Sequence, residues 1–149
     1  MNNKFLTEIN KACRSGAVAL SLLAVQNAHA MTEPQNKVVA STIAAEACSE
    51  GWTQMYLVAN TINNRMIAFK KTAYEVVIQK NQYYGYTNPN RIEIYSHPKC
   101  KIFADYLTKH MQVLHDETDG ALFFRQPSER RMKWHKVETV KYQSHVYYK

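Results

Sequence analysis

Glu46 and Glu50 stand four residues apart in STIAAEACSEG (residues 41–51), a stretch otherwise made mostly of small and apolar residues. Residues four apart on a helix are neighbours, so the spacing predicts two carboxylates on one side, with Val39, Ile43 and Ala47 on the adjacent face. Like charges that close repel, and a carboxyl beside apolar neighbours loses hydration. Both effects favour the protonated form. Such a Glu46 would have its pKa raised toward the range in which a carboxylic acid serves as general acid near neutral pH, the chemistry of glycosidic bond cleavage, though the spacing by itself does not assign it that role. The same spacing is met by two solvated acids paired with lysines, the ordinary state of helical glutamates.

A second chemical cluster is NQYYGYTN (residues 81–88). Sugar rings have apolar faces and hydroxyl edges, so a glycan cleft combines aromatic platforms with amides and hydroxyls. Gln82, Tyr83 and Tyr84 are expected to line such a cleft, with Tyr86 beside them. The competing reading is a tyrosine-rich surface loop packed on its own scaffold. Cys48 and His145 occur in the order a cysteine peptidase or amidase would use, but Cys48 falls near the end of its predicted helix, away from the N-terminal dipole that lowers a thiol pKa. His110 and His115, five apart, diverge around a helix. With Asp116 and His145 they make no recognised zinc spacing, so neither a metal nor a cofactor is expected.

These residues need elements to hold them. Apolar positions recurring at three-to-four spacing predict a helix over Asn36–Glu50, stopped by Gly51. A second helix, WTQMYLVANTINNRMIAF, places Trp52, Met55, Tyr56, Ala59, Ile62 and Met66 on one face. Thr72 and Glu75 have the spacing of a capping box ahead of a short third helix. Residues 81–97 show no period and predict a long exposed loop. Ser96 as cap and Pro98 in the first turn open what should be the longest helix, running through Ile102, Phe103, Tyr106, Leu107, Met111 and Leu114. Beyond it, Ala121–Phe124 and Val137–Lys149 are rich in β-branched and aromatic residues and predict paired strands, with Trp134 and the ALFF segment in the core. The fold class expected is α+β, N-terminal helices packed with a small C-terminal antiparallel sheet.

The chain of 149 residues, 46% hydrophobic and 21% charged, fits one globular domain behind a leader. Lys4, Lys11 and Arg14 precede the uncharged run GAVALSLLAV and then AHA at 28–30, the layout of a signal peptide cleaved after Ala30. The apolar run is shorter than the ~20 residues of a spanning helix, so no stable membrane insertion is expected after cleavage. Removing three basic residues and Glu8 takes the formal charge from +7 to +5. A basic exported domain points to acidic envelope polymers, an anionic membrane surface or nucleic acid. Nucleic acid is disfavoured by the export signal and by the lack of a basic stripe, the densest cluster being ERRMK (129–133). Export permits a bridge between Cys48 and Cys100; two unpaired buried thiols fit equally, since nothing in the sequence sets their separation.

In order along residues 38–148, the motifs Glu46-Ala47 with Glu50; Asn64-Arg65; Gln82-Tyr83; Asp116, Thr118, Gly120, Ala121, Leu122 and Phe124; Trp134; and His145-Val146-Tyr147-Tyr148 resemble the cell wall hydrolase family of the spore cortex-lytic enzyme type. That family carries E-A-R-G-E, N-R, Q-F, D-P-T-G-G-A-L-Y-F, W and G-N-H-V-F-Y in the same order. This chain departs at Cys48 and Ser49 for Arg-Gly, at Glu117 and Asp119 for Pro and the first Gly, and at Gln143-Ser144 for Gly-Asn.

The resemblance implies peptidoglycan glycan strands as substrate, cut between N-acetylmuramic acid and N-acetylglucosamine; the leader directs the protein to the periplasm or outside the cell, where a monomer is expected. The resemblance also implies that residues 31–149 form the catalytic domain with Glu46 as catalytic acid/base, similar to lytic transglycosylases that close an anhydro ring without consuming water. Hydrolysis would need a second carboxylate at about 5–5.5 Å or about 6.5–9.5 Å. Glu50 is the nearest candidate, or else a tuner of Glu46 or a partner for Arg65. Thr118 and His145 would orient substrate or Glu46. The alternatives are the cysteine-dependent enzyme (Cys48, His145) and an envelope-glycan module that binds without cutting.

Overall fold

The computed structural model describes residues 30–126 and 137–149. The expected leader up to His29, Trp134 and the ERRMK cluster lie outside these residues. The chain divides between Ala30 and Met31, and the unit Met31–Lys149 is α+β, as expected. Among the described residues it has six α-helices, α1 (Glu33–Ala47), α2 (Trp52–Phe69), α3 (Ala73–Val77), α4 (Tyr84–Thr87), α5 (Arg91–Ser96) and α6 (Pro98–His110), followed by strands β1 (Phe123–Arg125), β2 (Glu138–Tyr142) and β3 (His145–Tyr148).

Helix α1 begins three residues before the periodicity suggests. Thr32 supplies the reason: its hydroxyl accepts from the Gln35 N–H, and the Gln35 side chain accepts from the Thr32 N–H at 2.9 Å, a closed capping box with Pro34 in the first turn. At the other end the α path breaks at Ala47, whose φ of −144° turns Cys48–Glu50 into a three-ten turn. Gly51, at φ +97°, then reverses the chain into α2. The predicted capping box of α3 is present in full, with Thr72 and Glu75 bonded reciprocally.

Val39, Ile43, Ala44 and Ala47 are buried as their spacing demands, packed against Met55, Val58, Ala59 and Ile62 of α2 and Ala104 and Leu107 of α6. Each large aliphatic side chain so buried contributes about 1.5–3 kcal/mol. The small alanines let α1 sit deep among its neighbours. Cys48 and Cys100 form a disulfide, Cα atoms 5.7 Å apart, which ties the three-ten turn to α6.

Four expectations need correction. Residues 81–97 are not an exposed loop: they hold α4 and α5, and Tyr83, Gly85 and Tyr95 are buried. Helices of four and six residues are too short to show a period and are stabilised by packing on α1 rather than by propensity. Among the described residues the longest helix is α2, with 18 residues, because α6 passes into a three-ten turn at Met111. The cap of α6 is His97 without a side-chain bond, while the Ser96 hydroxyl donates back to the Ile92 carbonyl. Trp52, Ile102 and Tyr106 are exposed rather than packed.

The sheet has the order β1-β3-β2, antiparallel throughout. β3 is central and all four of its residues are buried. Tyr142 pairs with His145 across the two-residue turn Gln143-Ser144, with Gln143 at φ +46°. Tyr147 packs on Leu57 of α2 and on Ala121, and this contact seats the sheet against the helices.

Candidate active site

Glu46 projects from the last turn of α1 to where α4 begins. Its Oε1 accepts the backbone N–H of Gly85 at 2.5 Å. The approach requires glycine: a Cβ at position 85 would lie 2.6 Å from the Thr42 carbonyl oxygen, 2.8 Å from Glu46 Cγ and 2.9 Å from Glu46 N. An N–H held by one carboxyl oxygen fixes the plane of the group, the first requirement for directed proton transfer.

Glu50 does not share a helix face with Glu46, because the break at Ala47 rotates it away. Its Oε2 accepts the Ser144 hydroxyl and lies 3.2 Å from His145 Nδ1, which is itself 3.2 Å from Ser144 Oγ. The His145 side chain is 5% exposed and that of Glu50 19%. The cluster fastens the β2–β3 turn to the three-ten turn that follows Glu46. The expected pairing of Glu50 with Arg65 is not formed. Arg65 is buried and donates instead to the amide oxygens of Gln82, at 2.7 Å, and Gln79, and to the Leu122 carbonyl. Its guanidinium lies over the Tyr83 and Phe123 rings, 5.6 and 5.2 Å from their centroids. Burial lowers its pKa, partly offset by Tyr83.

Phe124 links Tyr83 to His145 and Tyr147 in an aromatic floor. The Phe124 ring centroid is 5.9 Å from Tyr83, 5.2 Å from His145 and 5.8 Å from Tyr147. Burial pushes the Tyr83 hydroxyl pKa upward, Arg65 opposes this and Glu46 adds to it. Burial likewise pushes up Tyr147, reinforced by Glu50 and Glu46 and eased by its hydrogen bond with Gln54. Both phenols therefore stay neutral in the field of the acids.

Among the substrate residues expected from sequence, Tyr83 lies near enough to Glu46 to feel its charge, Gln82 is bonded to Arg65, and Glu50 and His145 pair with each other. Tyr83 is only 3% exposed and forms part of the floor, whereas Tyr84, at the start of α4, is 71% exposed and open to solvent. Thr118 is fully buried: its hydroxyl donates to Asp116 Oδ1 and accepts from Asn64. Asp116 also accepts from the Gly120 N–H and the Asn64 amide. Burial raises the Asp116 pKa, but the bonds from Thr118, Gly120 and Asn64 outweigh it and leave it lowered.

Gly85, Ser144 and Tyr147 have no assigned role in the sequence reading, and Phe124 is expected there only as part of the core. A glycine inside a tyrosine run is a signal of close backbone approach. Ser144 and Tyr147 become visible only once the hairpin is closed.

Among the described residues no group of three His, Cys, Asp or Glu could hold a metal ion. His110 packs on the Tyr106 ring and exposed His115 lies 3.8 Å from Glu117, so these histidines do not converge with Asp116 and His145. Cys48, being bonded to Cys100, has no thiol with which to attack a peptide, which removes the cysteine-enzyme reading in this state. No helix among the described residues is long and apolar enough to cross a membrane.

Compared with known proteins, the chain matches no curated protein and no solved structure. A family model does match it: that of the cell wall hydrolases, over residues 49–148, beginning three residues after Glu46 and taking in Glu50, the α4 segment, the Asp116 loop and the whole sheet. The match extends over more than half of the sequence, and the chain belongs to the cell wall hydrolase family.

Proposed function

We propose that the chain cuts peptidoglycan glycan strands between N-acetylmuramic acid and N-acetylglucosamine as a lytic transglycosylase of the spore cortex-lytic type, with Glu46 as acid and then base. The observation that carries the reading is the bond from the Gly85 N–H to Glu46 Oε1 beside the neutral phenols of Tyr83 and Tyr147. With Oε1 held as the acceptor, the transferable proton belongs on Oε2. It passes to the glycosidic oxygen as that bond breaks; the carboxylate so formed takes the muramyl C6 hydroxyl proton as that oxygen closes the anhydro ring.

The one-acid route is preferred to hydrolysis because Glu50 Oε2 is engaged by Ser144 and His145 rather than presented as a nucleophile or water-activating base. In this reading Glu50 and His145 position the hairpin, Tyr84 offers an exposed platform to a sugar ring, and Gln82 and Tyr83 border the reacting bond. Thr118 acts at one remove, by holding the loop that leads into β1. Residues 1–30 serve as an export leader, and the mature monomer works in the periplasm or outside the cell.

Mass spectrometry of products from purified peptidoglycan tests this directly. Anhydro-muramyl ends are expected; reducing muramic acid ends, heavier by one water, would replace transglycosylation by hydrolysis, and cleaved peptide stems with intact glycan would overturn the reading.

A further inference from the structure

Outside the acidic cluster, the least expected surface is aromatic. Trp52 is 60% exposed and stacks on Phe103 with ring centroids 5.3 Å apart and planes inclined by 23°. Phe103 continues onto Tyr106 at 6.3 Å and 13°, and Tyr106, itself 52% exposed, onto His110 at 4.6 Å. Phe103, Tyr106 and His110 follow at i, i+3 and i+7, so one face of α6 is a continuous ladder of rings. Large aromatics left partly in water forgo the gain of burial. Two exposed rings, Trp52 and Tyr106, stacked on either side of a half-buried Phe103 are a feature to explain.

Beside the ladder is an open cavity of about 490 Å³ lined by Trp52, Thr53, Tyr56, Phe103, Val140 and Tyr142, with the Glu117 carboxylate also in its wall. That size is within the range of ligand sites, about 300–1,000 Å³. Its lining combines apolar walls with hydroxyl-bearing side chains, a composition suited to pyranose rings, whose C–H faces stack on aromatics while their edges seek hydrogen bonds. The cavity shares elements with the acidic cluster: only Gly51 separates Glu50 from Trp52 in the chain, and Tyr142 is the register partner of His145.

We propose that the Trp52–Phe103–Tyr106 ladder and its cavity form a remote saccharide subsite, which holds the same N-acetylhexosamine strand several sugars away from the bond at Glu46. The proposal rests on the glycan-cleaving reading for its ligand and extends it to a surface formed by α2, α6 and β2. It makes the enzyme sensitive to strand length, since a short fragment spans one region and a long strand spans both.

The test uses the Glu46→Gln protein, so that ligand is not consumed, with Trp134→Phe so that Trp52 is the sole tryptophan reporter of the mature chain. Titration with hexa-N-acetylchitohexaose should shift and quench Trp52 emission saturably; di-N-acetylchitobiose should bind at least about tenfold more weakly, and Tyr106→Ala should weaken the hexamer by about tenfold, the change expected for losing one good contact. In parallel, Trp52→Ala in the Glu46→Gln protein should sediment less with purified sacculi. Unchanged Trp52 emission with undiminished co-sedimentation of Trp52→Ala would overturn the subsite. So would sedimentation equilibrium showing a dimer that Trp52→Ala dissolves, because the ladder would then face a second copy. The two readings separate cleanly: wild-type turnover by Glu46→Gln sinks the catalytic assignment and leaves the emission result standing, whereas a silent Trp52 with a dead Glu46→Gln sinks only the subsite.

Discussion

The amide of Gly85 and the carboxylate of Glu46, 39 residues apart in sequence, meet at 2.5 Å because position 85 has no side chain to keep α4 off α1. A methyl there would strike the Thr42 carbonyl and the Glu46 backbone, neither of which can swing aside. Gly85→Ala should therefore cost about 1–3 kcal/mol of stability, as overpacked sites do, and lower turnover of purified peptidoglycan further than that loss explains. Thermal unfolding and muropeptide release, measured on the same preparation, separate the two effects.

Replacing Glu46 by glutamine keeps an oxygen for the Gly85 N–H and removes the transferable proton. The variant should fold and bind sacculi yet release muropeptides more slowly by about 10²–10⁴, the range typical of a lost general acid. Turnover at the wild-type rate would reject Glu46 as the acid.

The bridge between Cys48 and Cys100 closes a sequence separation of 52 residues. Loop-closure entropy puts its contribution at about 2–4 kcal/mol, so the Cys48→Ala/Cys100→Ala protein should melt earlier by that measure. Because Cys48 is also the residue after Ala47, where α1 breaks, the loss should reach the Glu50–Ser144–His145 cluster and reduce activity. Iodoacetamide without reductant should leave turnover untouched; inhibition under those conditions would return attention to a thiol mechanism.

Asp116 sets an acid limit. Its folded pKa is lowered from the ordinary 3.8 because its oxygens collect bonds from Thr118, Gly120 and Asn64 that outweigh its burial. A depressed carboxylate contributes stability that is fully present above its unfolded pKa and fades as pH falls through the folded value. Melting temperature should thus fall below about pH 4 through this group. Asp116→Asn, which places an amide against donors, should be less stable at neutral pH and show a flatter acid decline. A wild-type-like decline in that variant would assign the acid sensitivity elsewhere.

Much of this architecture could be read in advance where local chemistry decides the structure. The Thr72–Glu75 box, Gly51 as a stop and Pro98 in a first turn each act within four residues, and each stands where expected. Long-range closure was illegible. Nothing near Glu50 announces that its partner is Ser144, 94 residues on, or that Ala47 ends the α path and sends the two acids to different neighbours. The tyrosine segment misled because its helices are shorter than a reliable period. The departures from the family's glycines are informative as well: Asp119 and Gln143 stand where that pattern has glycine, and both adopt the positive φ, +52° and +46°, that glycine would take without strain. The backbone path outlasted the residue that suits it best.

The order β1-β3-β2 places the last segment of the sheet in its middle. β1 and β2 have no hydrogen bonds to each other, and the wall that carries His145 and Tyr147 cannot assemble until residues 145–148 arrive. Without residues 145–148 the sheet has no middle, and Glu50 has neither Ser144 nor His145 held against it. The sheet is thus a single cooperative unit keyed to β3: a change that loosens this one strand should release both of its neighbours together.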